Sequence, residues 1–245
     1  MQLKTFKLKS NENASLKTYI LDYSEEMPNM AKRPAMLIIP GGSYLFVSDR
    51  EMEPIAMFFN SMGYNSFVLT YTLGEKNNFQ MALDDANAAI ELIHEKAEEF
   101  MIDKNKVGVI GFSAGGHLAA SLSTMGDIRP DACVLCYPCI REDISEILAF
   151  PVPGVENYVD KKTPPTFIAT SALDPVVPAK NSLSYANALD RAGVPYELHV
   201  FARGNHGFSL CDSSVCSTNE IIKQNERAAQ WKNLCINWLH DVLDI

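Results

Sequence analysis

The stretch from Val107 to Ala120 constrains this chain most. Val107-Gly108-Val109-Ile110 is short, apolar and rich in β-branched residues, as a buried strand requires. Ala114 to Thr124 is rich in alanine and leucine, as a helix prefers. Between them lies Gly111-Phe112-Ser113-Ala114-Gly115, so a strand must become a helix across one serine. A serine at such a bend sits in a strained backbone conformation, and small residues two before and two after it let strand and helix pass closely. The bend pushes the hydroxyl beyond the strand end. The new helix brings its free N–H groups beside that hydroxyl, where negative charge would develop. The bland alternative is a Gly-rich turn with an ordinary serine. Three fixed residues are a weak signal alone, and the strand–turn–helix context is what strengthens them.

The rest of the chain supplies that context. Residues 3–8 and 17–23 read as two short strands joined by the polar turn at 10–13, forming an antiparallel edge. Residues 35–39 form a strand without alternation, as burial on both faces demands. A helix over 50–62 stops at Gly63, and a strand follows at 65–71. Residues 79–100 read as one amphipathic helix with Met81, Ala82, Ala86, Ala89, Ile90 and Ile93 on its apolar stripe. After the bend come strands at 132–137, 166–170 and 196–201, a helix over 179–192 ended by Gly193, and a closing helix over 219–242. The apolar residues of that last helix serve either the core or a homo-oligomer interface. Residues 139–165, broken by four prolines, read as an irregular cap-like connector lying over the site. Strand and helix alternate, so the fold class is α/β. The expectation is a mostly parallel, doubly wound sheet of about eight strands with helices on both faces, forming a single domain over 1–245.

In such sheets the chemistry sits beyond the carboxyl ends of the strands. Two further strand ends stand out. Asp174 follows the strand at 166–170, between Ala172-Leu173 and Pro175. His206 follows the last strand, flanked by Gly204 and Gly207. With Ser113 these give the chain order Ser, Asp, His. A serine hydroxyl needs a base near neutral pH, so His206 would take its proton and Asp174 would hold the imidazole. The rival histidines are worse placed: His94 and His240 lie in helices, His199 inside a strand, and His117 one turn into the helix after the bend. Asp131 and Asp212 lack the right position and order. Pro40-Gly41-Gly42-Ser43-Tyr44 follows the first central strand. The backbone N–H groups of Gly42, Ser43 and Ala114 are the candidate oxyanion donors. Tyr44, Phe46 and Phe208, with the 139–165 connector, are the candidate pocket lining.

Charge and cysteine usage exclude several other functions. The formal net charge is −9, with 21% charged residues. That disfavours nucleic acid and anionic membrane surfaces, both of which need a basic face. The first residues carry dispersed charge and no apolar core of a leader, and no apolar run is long enough for a membrane helix, so the expected compartment is the cytoplasm. Cys133, Cys136 and Cys139 share the spacing of a metal or iron–sulfur motif. They also fit a buried strand with small apolar residues, on which Cys133 and Cys136 face opposite sides. No second cluster completes a metal site, so none is assigned. Cys211 and Cys216 are close enough in sequence to meet across a loop, but a cytoplasmic chain keeps such residues as thiols.

Pro-Gly-Gly-Ser-Tyr at 40–44, Arg-Glu-Met-Glu-Pro-Ile-Ala at 50–56, Gly-Phe-Ser-Ala-Gly-Gly-His-Leu-Ala at 111–119, Asp-Pro-Val-Val-Pro at 174–178 and Asn-His-Gly-Phe-Ser-Leu at 205–210 together resemble the α/β-hydrolase superfamily. They are most similar to its esterase/lipase branch of acetyl esterases, acetylxylan esterase-like and BD-FAE-like enzymes. The resemblance runs from about residue 16 to 243. It implies a serine carboxylesterase acting on short acyl esters, often of sugars, with a small-molecule ester as partner and no cofactor. One departure is Ser43, where the family usually has a third glycine. Two other readings stand beside this one. A serine peptidase of the prolyl oligopeptidase kind shares the bend and the triad order, although no propeller is found in this chain. A non-catalytic hydrolase fold acting as a small-molecule receptor usually loses a triad member, and all three are present here.

Overall fold

A computed structural model describes residues 1–245. Eight strands form one sheet: β1 (Gln2–Lys7), β2 (Ser15–Ile20), β3 (Arg33–Ile39), β4 (Asn65–Thr70), β5 (Ile102–Phe112), β6 (Ala132–Cys136), β7 (Thr166–Ser171) and β8 (Tyr196–Phe201). Their spatial order is β1-β2-β4-β3-β5-β6-β7-β8. The β1–β2 and β2–β4 pairs are antiparallel, and every pairing from β4 onward is parallel. β5 therefore lies near the middle, between β3 and β6, and its carboxyl end opens at the centre of the sheet edge.

Alternation along each central strand divides the core into two. In β3, Ala35, Leu37 and Ile39 enter one cluster while Met36 and Ile38 enter the other. The first cluster is closed by α2 (Phe79–Glu95), α3 (Ala114–Met125) and α4 (Lys180–Ala192), through residues such as Ile93, Leu118 and Leu189. The second is closed by α1 (Glu53–Ser61) and α6 (Trp231–Leu243), through Phe59, Trp231 and Leu239. Both faces are covered, which explains why β3 reads as an unbroken apolar run from Pro34 to Ile39. Cys133 joins the first cluster and Cys136 the second, as strand geometry requires. All six cysteines are thiols, Cys211 and Cys216 included. No helix is long and apolar enough to cross a membrane.

Four expectations need correction. α2 ends at Glu95 rather than 100, with turns following Lys96, and Met101 at φ +51° leads the chain into β5, which starts at Ile102. Met81 faces solvent, and Leu83 packs inward instead. The closing helix is broken into α5 (Asn219–Asn225), a 3₁₀ turn (Ala228–Gln230) and α6. At the break Asn225 is buried, and its side-chain oxygen accepts the Asn205 backbone N–H at 2.7 Å. The apolar residues of α6, namely Trp231, Cys235, Ile236, Leu239 and Leu243, pack into the second cluster. Finally, residues 139–165 do not line the cavity at Ser113, and reach the site's loops through the Ala149 N–H, which the Ser43 carbonyl oxygen accepts at 2.9 Å. Ile140, Ile144, Phe150, Val152 and Val155 are buried in the first cluster, and the segment packs on α3 and α4. Its proline-rich sequence looks like surface, but its apolar residues are spaced to fill core.

Candidate active site

The bend after β5 is as tight as the glycines imply. Ser113 has φ +52° and ψ −118°. A Cβ on Gly111 would stand 2.3 Å from the Gly115 carbonyl oxygen, and one on Gly115 would stand 2.2 Å from the Ile39 carbonyl oxygen. Both obstacles are backbone and cannot swing aside, so the two positions exclude any side chain. The strained serine costs on the order of 1–3 kcal/mol, held in place by the packing around it.

Three strand ends converge there. His206 Nε2 lies 2.9 Å from Ser113 Oγ, and His206 Nδ1 lies 2.8 Å from Asp174 Oδ2. A nitrogen facing a carboxylate carries the proton, so Nδ1–H donates to Asp174 and Nε2 accepts from the serine hydroxyl. The Asp174 side chain is fully buried and that of His206 is 18% exposed. Asp174 Oδ1 accepts from the N–H groups of Val176 and Val177, both at 2.9 Å, so neither carboxylate oxygen is left idle. The rival nucleophile nearby is inert: burial pushes the Cys139 thiol up to about 12.

The loop after β3 curls toward the same point. Gly42 has φ +131°, and a Cβ there would meet the Phe46 carbonyl oxygen at 2.0 Å. Ser43 and Tyr44 also take positive φ, at +56° and +59°. The backbone N–H groups of Gly42 and Ser43 bond to no backbone acceptor, and Ala114 opens α3, where an N–H has no intrahelical partner. Ser43 thus occupies a left-handed position with its Cβ, where a glycine would fit without strain.

Two of the three pocket expectations fail. Tyr44 is fully buried against Tyr71 and Phe150, and its hydroxyl meets His117 Nδ1 at 2.9 Å. Phe208 is buried edge-on to Tyr137, with ring centroids 4.4 Å apart. Only Phe46, exposed, faces the openings. One small cavity of about 120 Å³ is lined by Gly42, Ser43, Ser113, Val176 and His206 among others. A larger one of about 550 Å³ lies beyond the imidazole, bounded by Phe46, Arg50, Cys216, Ile221 and Asn225. Its far wall comes from the segment after His206, where the expectation had put the 139–165 connector.

Two buried polar residues were given no role from the sequence, His117 having been set aside only as a rival base. His117 links Tyr44 to the Pro153 carbonyl, with Nε2 3.0 Å from that oxygen, and burial lowers its pKa to about 4. It is neutral, donating from Nε2 and accepting at Nδ1. Glu51 is 2% exposed directly beneath the loop after β3. A carboxylate between a glycine turn and an apolar helix is the sequence signal that could have found it.

The geometry agrees with what the chain is similar to. A profile of the BD-FAE family matches residues 21–132, and one of the prolyl oligopeptidase family matches residues 149–238. An endo-1,4-beta-xylanase B of Butyrivibrio fibrisolvens is 34% identical over 76% of this chain and 34% of its own length. An acetylxylan esterase of Xylanibacter ruminicola is 29% identical over 75% of this chain and 43% of its own length. The chain therefore spans less than half the length of these curated relatives. Among solved structures, MGS-M1, an alpha/beta hydrolase enzyme from a Medee basin deep-sea metagenome library, is 40% identical, covers 99% of both chains and superposes with a TM-score of 0.91.

Proposed function

Because this chain belongs to the α/β-hydrolase superfamily, we propose that it is a serine carboxylesterase that removes a short acyl group, acetyl foremost, from an alcohol such as a sugar hydroxyl. The observation that carries this reading is the unbroken line from Asp174 through His206 to Ser113, at 2.8 and 2.9 Å. Ser113 Oγ attacks the ester carbonyl as His206 Nε2 takes its proton. The resulting oxyanion is met by the N–H groups of Ala114, Gly42 and Ser43. His206, now an imidazolium stabilised by Asp174, returns the proton to the leaving alcohol. Water then attacks the acyl carbon as His206 takes its proton, and His206 returns that proton to Ser113 Oγ as the acid leaves.

The unequal cavities support the acyl preference. About 120 Å³ beside Ser113 suits a small acyl group, while about 550 Å³ beyond His206 suits a bulkier alcohol. The acetylxylan esterase relative points the same way. We place the protein in the cytoplasm on the strength of its six unpaired thiols.

The test is Ser113→Ala with an acyl-chain series of p-nitrophenyl esters. The variant should lose about 10⁶ in kcat, as loss of a subtilisin nucleophile does, and should no longer react with a fluorophosphonate. Near-normal hydrolysis by the variant would refute the assignment. The match over 149–238 to the prolyl oligopeptidase family keeps a peptidase reading in view. Faster turnover of prolyl amides than of acetyl esters would favour it, and a wild type that no fluorophosphonate labels would favour a receptor.

A further inference from the structure

Glu51 lies outside the Ser113–His206–Asp174 line, yet it bonds to the loop after β3 and to the one after β6. Oε2 accepts the Gly41 backbone N–H at 2.8 Å, at the root of the loop carrying Gly42 and Ser43. Oε1 meets the Tyr137 hydroxyl at 2.7 Å, just past the end of β6. That hydroxyl accepts the Ser209 N–H at 3.2 Å, three residues beyond His206. The Tyr137 ring stands edge-on to the His206 ring, with centroids 5.1 Å apart. The residue before Glu51 adds a parallel tie, its carbonyl accepting the Ser209 hydroxyl at 2.6 Å.

These contacts settle which chemistry position 51 needs. The Tyr137 oxygen already accepts from Ser209, so its own proton must go to Glu51. The Gly41 N–H also donates. Both oxygens at position 51 are therefore acceptors, which suits a carboxylate and no other natural side chain of this length. A glutamine would set its NH₂ against the Gly41 N–H, or against a hydroxyl that then has nowhere to send its own proton. Tyr137 and Ser209 also sit at positive φ, +41° and +45°, which nothing in their own side chains favours. Burial raises the pKa of Glu51, and the two donors, Arg50 and His206 act against that rise.

We propose that Glu51 is a positioning residue for acyl transfer: by bridging the Gly41 N–H and the Tyr137 hydroxyl, its carboxylate sets the oxyanion donors at Gly42 and Ser43 at a fixed distance from the His206 imidazole. This rests on the serine-esterase reading of the site. The sheet places the strand ends, but the donors and the base lie in irregular loops several residues beyond them. Donor and base must be held to about 0.5 Å, and an error near 1 Å costs about 10²-fold in rate. Glu51 supplies that restraint without touching substrate.

The experiment compares the full chain with Glu51→Gln, Glu51→Ala and Tyr137→Phe. Active sites are counted by the p-nitrophenol burst, and kcat, KM and the fluorophosphonate inactivation rate constant are expressed per counted site. We expect Glu51→Gln to lower kcat about 10–100-fold with KM within about threefold, and Glu51→Ala to lower it at least as much. The inactivation rate constant falls in parallel, because a phosphonate uses the same donors and base. Tyr137→Phe keeps the Gly41 tie and the ring on His206, so it falls less, about five- to tenfold. A residue needed only for folding would reduce the number of sites and leave each one at full rate, and that result overturns the proposal. If both Glu51 variants fail to fold, Tyr137→Phe decides by the same criterion. A wild type that neither turns over nor labels refutes the esterase reading and this proposal together. A labelled wild type with unaltered variants refutes this proposal alone.

Discussion

Replacing Asp174 by asparagine tests the base assignment sharply, because the surrounding hydrogen bonds dictate which way the amide must face. Oδ1 accepts two backbone N–H groups, from Val176 and Val177, at 2.9 Å each. An amide nitrogen there would face two donors at once, at a cost of roughly 1–3 kcal/mol for each lost bond. The asparagine oxygen therefore takes the Oδ1 place and its NH₂ takes the Oδ2 place, 2.8 Å from His206 Nδ1. Nδ1 must then accept, and the imidazole proton moves to Nε2. Nε2–H now points at Ser113 Oγ, 2.9 Å away, and cannot take its proton. In a serine-protease triad this same tautomer error lowers kcat by about 10⁴, equivalent to about 5.5 kcal/mol of barrier. We expect a similar loss in p-nitrophenyl acetate hydrolysis per burst-counted site. Stability should stay within about 1 kcal/mol by urea unfolding, because the shape and the two backbone bonds are kept. A folded Asp174→Asn protein within tenfold of wild-type kcat would refute both the tautomer argument and the role of Asp174.

Other perturbations separate fold from chemistry. Gly115→Ala places a Cβ 2.2 and 2.4 Å from two backbone carbonyl oxygens, so it should destabilise by about 3 kcal/mol or more, seen as a fall in Tm of roughly 6–12 °C. An unchanged Tm would mean the bend is looser than described. His117 predicts an acid limb to stability. Its pKa is about 4 in the fold against 6.5 outside it, so its neutral contribution is complete above pH 6.5 and is lost as pH falls toward 4. At pH 4.5 the loss amounts to about 2.5 kcal/mol. The gap in unfolding free energy between wild type and His117→Gln should shrink by that amount between pH 7.5 and 4.5. A gap independent of pH would show that His117 is not buried in neutral form.

The readings that succeeded share a cause. The bend at Ser113 needs glycine at 111 and 115 because backbone from neighbouring segments occupies the space a Cβ would take, so the local residue types record the geometry. Likewise β3, covered on both faces, is apolar from Pro34 to Ile39. The readings that failed concern what a side chain meets across the fold. Tyr44 and Phe208 sit in loops beside the site, where aromatic residues commonly line a pocket. Their direction is decided by His117 on α3 and by Tyr137 after β6, both distant in sequence. The connector at 139–165 looked like a cap because prolines mark irregular chain, and prolines do not say which surface irregular chain covers.

Taken alone, the order of residues determined the sheet-and-helix alternation, the bend and the three strand ends from which Ser113, Asp174 and His206 project, since each is a short-range steric or periodic demand. Only the folded chain decided that Asn225, at the break before α6, holds the Asn205 loop, that the cavity wall comes from the segment after His206, and that Glu51 joins the loops after β3 and β6. The physical reason is that hydrogen bonds and burial depend on distances between segments far apart in the chain, and no local pattern of residues contains those distances.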